Sequence, residues 1–199
     1  MLKDDVWFAT AEELAPDLRA GRLSPVELTR GFLERIERLN GRFNSFERPT
    51  PGLAMEQAQR AASELRANHW RGPLHGVPYA AKDLFDTKGI VTAWGTRFLG
   101  DRVPAQNATV IDRLEQAGAV LLGKTAMVEF AGCLGYRFAN ASASGPGRNP
   151  WDPSRWTGGS SSGSGAAVAA GLATFALGTE TWGLILCPSA FCGLTGIRP

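Results

Sequence analysis

The feature that most constrains the fold is a glycine- and serine-rich run at residues 157–165, T-G-G-S-S-S-G-S-G, which passes directly into A-A-V-A-A-G-L-A. The wider region over residues 139–165 is poor in apolar residues, and composition alone would make it a flexible linker. A linker does not explain the aromatic residues that accompany it, Phe138, Trp151 and Trp156. The small apolar residues that follow predict a closely packed helix beginning near Ala166. Because N–H groups and hydroxyls at such a helix start can be aimed at a ligand, the run predicts a functional loop.

The first part of the chain predicts three helices. Thr10 is followed three residues later by a glutamate, which is the pattern of a capping box, and Ser24 precedes a proline at a first-turn position. Apolar residues then return at helical spacing over residues 25–39. A polar stretch over residues 43–52 separates this helix from a third amphipathic helix, predicted over residues 53–67.

Helices and short apolar strands alternate in the rest of the chain. The segment V-P-Y-A-A-K-D predicts a strand that contains Lys82. A helix over residues 109–117, a buried strand over 119–123 and another short helix over 124–131 follow. This alternation predicts an α/β class and one domain over residues 1–199, in which 1–70 form a helical region and 71–199 a core segment.

Charge and composition exclude several classes of function. The chain has 21 basic and 19 acidic residues and no stripe of Lys or Arg that could follow a phosphate backbone, so nucleic acid is not an expected partner. The start lacks a secretory signal and no apolar stretch could span a bilayer, so we expect a cytoplasmic protein without a membrane partner. The three cysteines Cys133, Cys187 and Cys192 match neither a zinc site nor a redox motif, and we expect thiols packed as small hydrophobes.

Two common interpretations of a glycine-rich loop fail here. The run lacks the order G-x-x-x-x-G-K-[ST], and no dinucleotide fingerprint follows a strand. His69 and His75 form neither a metal pattern nor a Ser-His-Asp pattern. Serine chemistry without histidine requires another base, and lysine is the natural candidate.

Three segments together resemble the amidase signature family. They are G-P-L-H-G-V-P-Y-A-A-K-D, R-N-P-W-D-P-S-R-W-T-G-G-S-S-S-G-S-G-A-A-V-A-A-G and L-G-T-E-T-W-G-L-I-L-C-P-S-A-F-C-G. The resemblance implies a mixed central sheet flanked by helices and hydrolysis of carboxylic amide C–N bonds without a metal or another cofactor. It also implies that the fold is incomplete at the C-terminus, because family members extend well beyond G-I-R-P.

The resemblance assigns a role to each position of a Ser–cis-Ser–Lys triad. Lys82 takes the place of the base, and Ser160 takes the place of the bridging serine. The nucleophile position is Leu184, which has no hydroxyl. The residues implied to support the serine loop are Gly158, Gly159 and Ser161, and the backbone N–H groups implied to form the oxyanion hole are those of Thr181, Trp182, Gly183 and Leu184.

The leucine at the nucleophile position leads us to expect little or no amidase activity, because a triad without its nucleophile loses several orders of magnitude in rate. Three interpretations stay open: an amide hydrolase by ancestry, a silent relative that binds an amide-like ligand or a partner chain, and an incomplete polypeptide. A homo-oligomer is compatible with each. Cys187 and Ser189 lie near the site but off the triad position, and we expect Asp83 to be a structural hydrogen-bond acceptor.

Overall fold

The computed structural model describes residues 4–132 and 138–198. A 3₁₀ helix at Asp4–Phe8 precedes the first regular elements. The α-helices are α1 (Ala11–Arg19), α2 (Pro25–Phe43), α3 (Pro51–Arg66), α4 (Thr109–Gln116), α5 (Ser162–Ala169) and α6 (Leu186–Cys192). The strands are β1 (Phe46–Pro49), β2 (Pro78–Lys82), β3 (Val120–Thr125), β4 (Arg148–Asn149), β5 (Asp152–Trp156) and β6 (Phe175–Leu177).

The predicted helix starts are present. Thr10 and Glu13 form the capping box of α1, with the Glu13 carboxylate accepting a hydrogen bond from the Thr10 N–H at 2.7 Å. Ser24 precedes α2, and Pro25 is its first residue. Helix α2 extends four residues beyond the prediction to Phe43, where Asn44 ends it in the left-handed conformation (φ 49°). The Asn44 amide group donates to three carbonyls of the 144–146 loop, which explains why a polar residue ends the helix.

The polar stretch at residues 43–52 contains strand β1, which the sequence pattern did not predict. The Asn40 side chain binds both backbone groups of Phe46, through an N–H···O bond of 2.7 Å and an N–H···O=C bond of 2.9 Å. Phe46 is buried, and β1 pairs antiparallel with β3. A strand of only four residues has too short a sequence pattern to be recognised, and it forms because it pairs with β3.

The central sheet has four strands in the order β1-β3-β2-β6. Strand β2 lies parallel to both β3 and β6, whereas β1 lies antiparallel to β3. This mixed sheet with flanking helices confirms the predicted α/β class. One cluster of the core packs the buried faces of α1 and α2 against the sheet, and a second surrounds Tyr79 and Ile111.

The helix predicted over residues 124–131 is wrong. Lys124 and Thr125 continue β3, and only Glu129–Ala131 form a short 3₁₀ helix. The fully buried Lys124 ammonium donates to the Phe85 carbonyl at 2.6 Å and to the Thr92 hydroxyl at 2.9 Å. These tertiary contacts hold the lysine within the sheet.

The glycine- and serine-rich run enters its helix earlier than predicted. Helix α5 begins at Ser162, four residues before Ala166, after a two-stranded hairpin formed by β4 and β5. A β-carbon on Gly163 would clash with the Ser45 carbonyl and the Ala126 amide nitrogen, so only glycine fits there. The Ser164 hydroxyl bonds the Thr125 hydroxyl and the Leu177 carbonyl, both at 2.8 Å. The small residues therefore allow α5 to lie directly on the sheet.

The two cysteines within the described residues are free thiols. Cys192 is buried, as expected for a core residue, and Cys187 is partly exposed. Cys133 lies outside the described residues. Over the part of the chain that the structure describes, every helix is too short or too polar to cross a membrane.

Candidate active site

Lys82 is the last residue of β2, a strand in which all five residues are buried. Its side chain is fully buried, and Nζ donates to the Ser160 hydroxyl at 2.7 Å and to the Thr179 hydroxyl at 2.6 Å. Burial lowers the pKa of Lys82 to about 7, although the negative charge of Glu180 acts in the opposite direction. The neutral amine that a general base requires is therefore accessible near neutral pH.

Ser160 lies in the loop that enters α5, and the Gly159–Ser160 peptide bond is cis. The side chain is 1% exposed, and the Ser160 carbonyl accepts a hydrogen bond from the Val128 N–H at 3.1 Å. Gly158 has a positive φ of 78°, and a β-carbon there would clash with the Cys187 sulfur. The loop is thus fixed on one side by the segment after β3 and on the other by α6.

Leu184 lies in the turn that precedes α6 and is 3% exposed. Its carbonyl accepts a hydrogen bond from the Ser161 N–H at 3.3 Å, which attaches the turn to the residue that follows Ser160. The end of β2, the α5 loop and the α6 turn therefore bring together the three positions that the sequence assigned to a triad. Two of them carry the expected functional groups, and the third carries an isobutyl group.

The backbone N–H groups of this turn bind a carboxylate of the chain itself. Glu180 Oε1 accepts from Gly183 and, at 3.0 Å, from Leu184. Glu180 Oε2 accepts from Ile185 at 2.8 Å and from Leu186 at 3.1 Å. Two of the four predicted oxyanion donors, Gly183 and Leu184, thus donate to Glu180, and the other two, Thr181 and Trp182, belong to exposed residues of the same turn.

The sequence interpretation missed two residues of the site, Thr179 and Glu180. Thr179 is the second hydrogen-bond partner of Lys82, and Glu180 is the acceptor of the turn. A signal was available for the second residue. An acidic side chain just before a turn that opens a helix is a common acceptor for the unpaired N–H groups of the first helical turn.

Asp83 lies outside the hydrogen-bond network of Lys82, as expected for a structural acceptor. Its Oδ2 accepts from the Ala93 N–H at 2.9 Å, and its Oδ1 lies 3.7 Å from the Lys124 Nζ. Burial raises the pKa of Asp83 and lowers that of Lys124 to about 8, while each charge partly opposes the shift of the other. Cys187 contacts the Gly158 backbone, but burial raises the pKa of its thiol, which disfavours a nucleophilic thiolate.

Comparison with known proteins identifies the family of the chain. The model of the Amidase family matches residues 27–199. The chain is 49% identical over 190 residues to the A subunit of glutamyl-tRNA(Gln) amidotransferase from Chromohalobacter salexigens, a match that covers 96% of this chain and 38% of the relative. Among solved structures, native peptide amidase from Stenotrophomonas maltophilia is 37% identical with a TM-score of 0.81, covering 92% of this chain and 38% of that one.

A further similar structure comes from a vestigial protein complex that bears on the origins of an s-triazine catabolic enzyme. It is 36% identical with a TM-score of 0.87, and the match covers 93% of this chain and 40% of that one. The chain therefore spans about two fifths of the length of the relatives it matches. The match to the family model and the identity to these relatives agree with the resemblance of the three segments, and the chain belongs to the amidase family.

Proposed function

We propose that this chain carries an amidase site that retains its base and its bridging serine but lacks its nucleophile, so that it does not hydrolyse amides through an acyl-enzyme. The observation that carries the proposal is the hydrogen bond of 2.7 Å between the Lys82 Nζ and the Ser160 Oγ, beside a turn in which residue 184 is leucine. Lys82 and Ser160 both lie on buried backbone, and they remain in contact although residue 184 is leucine.

The reaction that this arrangement would perform with a serine at position 184 follows from the contacts. Neutral Lys82 would take the proton of Ser160 while Ser160 takes the proton of the nucleophile. The nucleophile oxygen would bond to the amide carbon, and the carbonyl electrons would move to an oxyanion. The Gly183 and Leu184 N–H groups donate to Glu180, so this oxyanion would require other donors. The leaving amine would then take the proton from Lys82 through Ser160, and water would release the acyl group. Leu184 supplies no oxygen for the first bond.

Ser160 is a poor replacement for the missing nucleophile. Its side chain is 1% exposed, and its hydroxyl already accepts a hydrogen bond from Lys82. An attacking oxygen must come within about 3–3.5 Å of the substrate carbon, which a buried hydroxyl does not permit without movement of the loop. We therefore assign the site a very low hydrolytic rate rather than a relocated reaction.

A second candidate function is binding without catalysis, of a small-molecule amide or of a partner chain. The names of two relatives favour the partner: one is the A subunit of an amidotransferase, and the other is a chain of a protein complex. A homo-oligomer and a cytoplasmic location stay predictions. A small-molecule amide as the substrate or ligand also stays a prediction, because this chain matches only part of each relative.

Hydrolysis of simple primary amides, followed by ammonia release, tests the proposal. We expect no release above the uncatalysed rate for the unmodified chain and measurable release for Leu184→Ser. The double variant Leu184→Ser/Lys82→Ala is the matched control and should lose that activity. Hydrolysis by the unmodified chain above the uncatalysed rate would contradict the proposal, whether or not it survives Lys82→Ala.

A further inference from the structure

Glu180 accepts hydrogen bonds from the backbone of the α6 turn on both of its carboxylate oxygens. Its two oxygens accept from four consecutive residues, 183–186, two bonds to each oxygen. Hydrogen bonds to an ionised carboxylate are shorter and stronger than those between neutral groups. Glu180 thus satisfies donors that would otherwise lack a partner at the start of α6.

The carboxylate is an anion in this environment. Burial by itself raises the pKa of Glu180, but the N–H groups of Ile185, Leu186, Gly183 and Leu184 outweigh burial and hold the pKa below its ordinary value. A neutral amide substrate offers no comparable acceptor. Displacing Glu180 would leave four backbone donors unpaired, and this makes a swinging carboxylate an unfavourable step in a catalytic cycle.

Glu180 is also linked to the base. Thr179, the preceding residue, accepts a hydrogen bond from the Lys82 Nζ at 2.6 Å, and the Thr179 N–H donates to the Ser161 hydroxyl at 3.3 Å. Residues 179 and 180 therefore connect the Lys82–Ser160 pair on one side with the turn of Leu184 on the other. The negative charge of Glu180 acts on Lys82 through space and favours its ammonium form.

We propose that Glu180 is a positioning residue, which holds residues 183–186 in the conformation that places residue 184 beside the Ser160 loop. It acts through the turn and touches no substrate. The inference rests on the proposed function, since it assigns a role within the same site. The opposite role, a carboxylate that blocks oxyanion donors and must leave before reaction, predicts changes of the opposite sign.

Amide hydrogen exchange of the unmodified chain tests the inference without any enzymatic activity. In Glu180→Gln, one of the two acceptor oxygens is replaced by an amide nitrogen that cannot accept, so at least two of the four N–H groups lose their partner. We expect exchange at residues 183–186 to accelerate at least about tenfold, because charge-assisted bonds protect these groups. Exchange in α2 should not change. Unchanged protection at residues 183–186 would overturn the inference.

Covalent labelling in the Leu184→Ser background supplies a readout that a purely structural role would not move. A fluorophosphonate reacts with a serine hydroxyl that a base activates, so the labelling rate should rise with pH as Lys82 loses its proton near pH 7. Adding Glu180→Gln should slow labelling at least about tenfold, because the turn loses its acceptor. It should also move the midpoint to lower pH, because a charge that favours the ammonium form is gone.

Two further variants distinguish the outcomes. Glu180→Asp keeps the negative charge and should leave the pH midpoint of labelling unchanged. It also tests the inference if Glu180→Gln does not fold. Glu37→Gln, an exposed residue of α2, is the matched control and should change neither rate nor midpoint. Faster labelling in Glu180→Gln, or an unchanged rate and midpoint, would overturn the inference. If Leu184→Ser with Glu180 intact is not labelled, the proposed function fails, and the exchange experiment still decides the role of Glu180.

Discussion

Replacing Lys82 with methionine should flatten the dependence of stability on pH. An unfolded lysine has a pKa of 10.5, whereas burial lowers that of folded Lys82 to about 7. Between these values the unfolded chain binds the proton and the folded chain does not, so stability rises as pH increases through this window. Each pKa unit corresponds to about 1.4 kcal/mol.

The magnitude follows from the two pKa values. Between about pH 7 and about pH 9, Lys82 should contribute an increase of about 2 kcal/mol in the free energy of unfolding. Lys124, with a folded pKa of about 8, contributes an increase in the same direction. Over the same pH range, Lys124 should add about 1 kcal/mol to the free energy of unfolding. Lys82→Met should therefore remove about two thirds of the increase due to the two buried lysines.

Urea unfolding of each variant at several pH values within this range measures the effect. Lys88→Met is the matched control, since Lys88 is exposed in the loop after β2 and its replacement should leave the slope unchanged. Equal slopes for the unmodified chain and Lys82→Met would refute the reasoning. Lys82 would then keep its proton throughout this range and could not act as a base near neutral pH.

Other predictions concern the packing around the site. Gly163→Ala should lower the free energy of unfolding by about 1–3 kcal/mol, since its β-carbon would meet the backbone of Ser45 and of Ala126. Gly41→Ala in α2, where an added β-carbon meets nothing within 4 Å, should raise the free energy of unfolding by about 0.5–1 kcal/mol. Denaturant unfolding measures both glycine variants, and equal effects would contradict the packing argument. Asp83→Ala should cost about 3 kcal/mol or more, because it leaves buried Lys124 without its carboxylate. Thermal unfolding should show partial recovery when Lys124→Met is added, and no recovery would show that the ion pair is not the cause.

Motif order predicted the centre of the site, but not the elements that hold it. The contact between Lys82 and Ser160 was expected from the order of three segments, and the structure contains it. Helix α1 and its capping box were expected because the signal lies within four consecutive residues. Strand β6 and helix α6 were missed, because they have three and seven residues and depend on partners distant in the chain. Local patterns carry no information on such partners.

The segment around Lys124 shows the limit of periodicity. The sequence pattern predicted a helix from this residue, yet the structure places Lys124 within the sheet with Asp83 and Thr92 as partners. Burial of a charge depends on groups that surround it in three dimensions, and neighbouring sequence does not reveal them. Glu180 is a different case, because an acidic residue before a helix start is a local signal for an acceptor of backbone N–H groups. The sequence does not show that four such groups donate to it, because they converge on the carboxylate only when the turn has formed.

Fluorophosphonate labelling followed by intact-mass measurement tests the central claim, that a base and a bridging serine remain in place around a missing nucleophile. The reagent forms a phosphorus–oxygen bond to an activated serine and releases fluoride, so its addition is read as one mass increment. The unmodified chain should remain unlabelled, Leu184→Ser should take up one equivalent, and Leu184→Ser/Lys82→Ala should lose it. Labelling of the unmodified chain at Ser160 or Ser189, or a Leu184→Ser variant that is folded and stays unlabelled, would contradict the account.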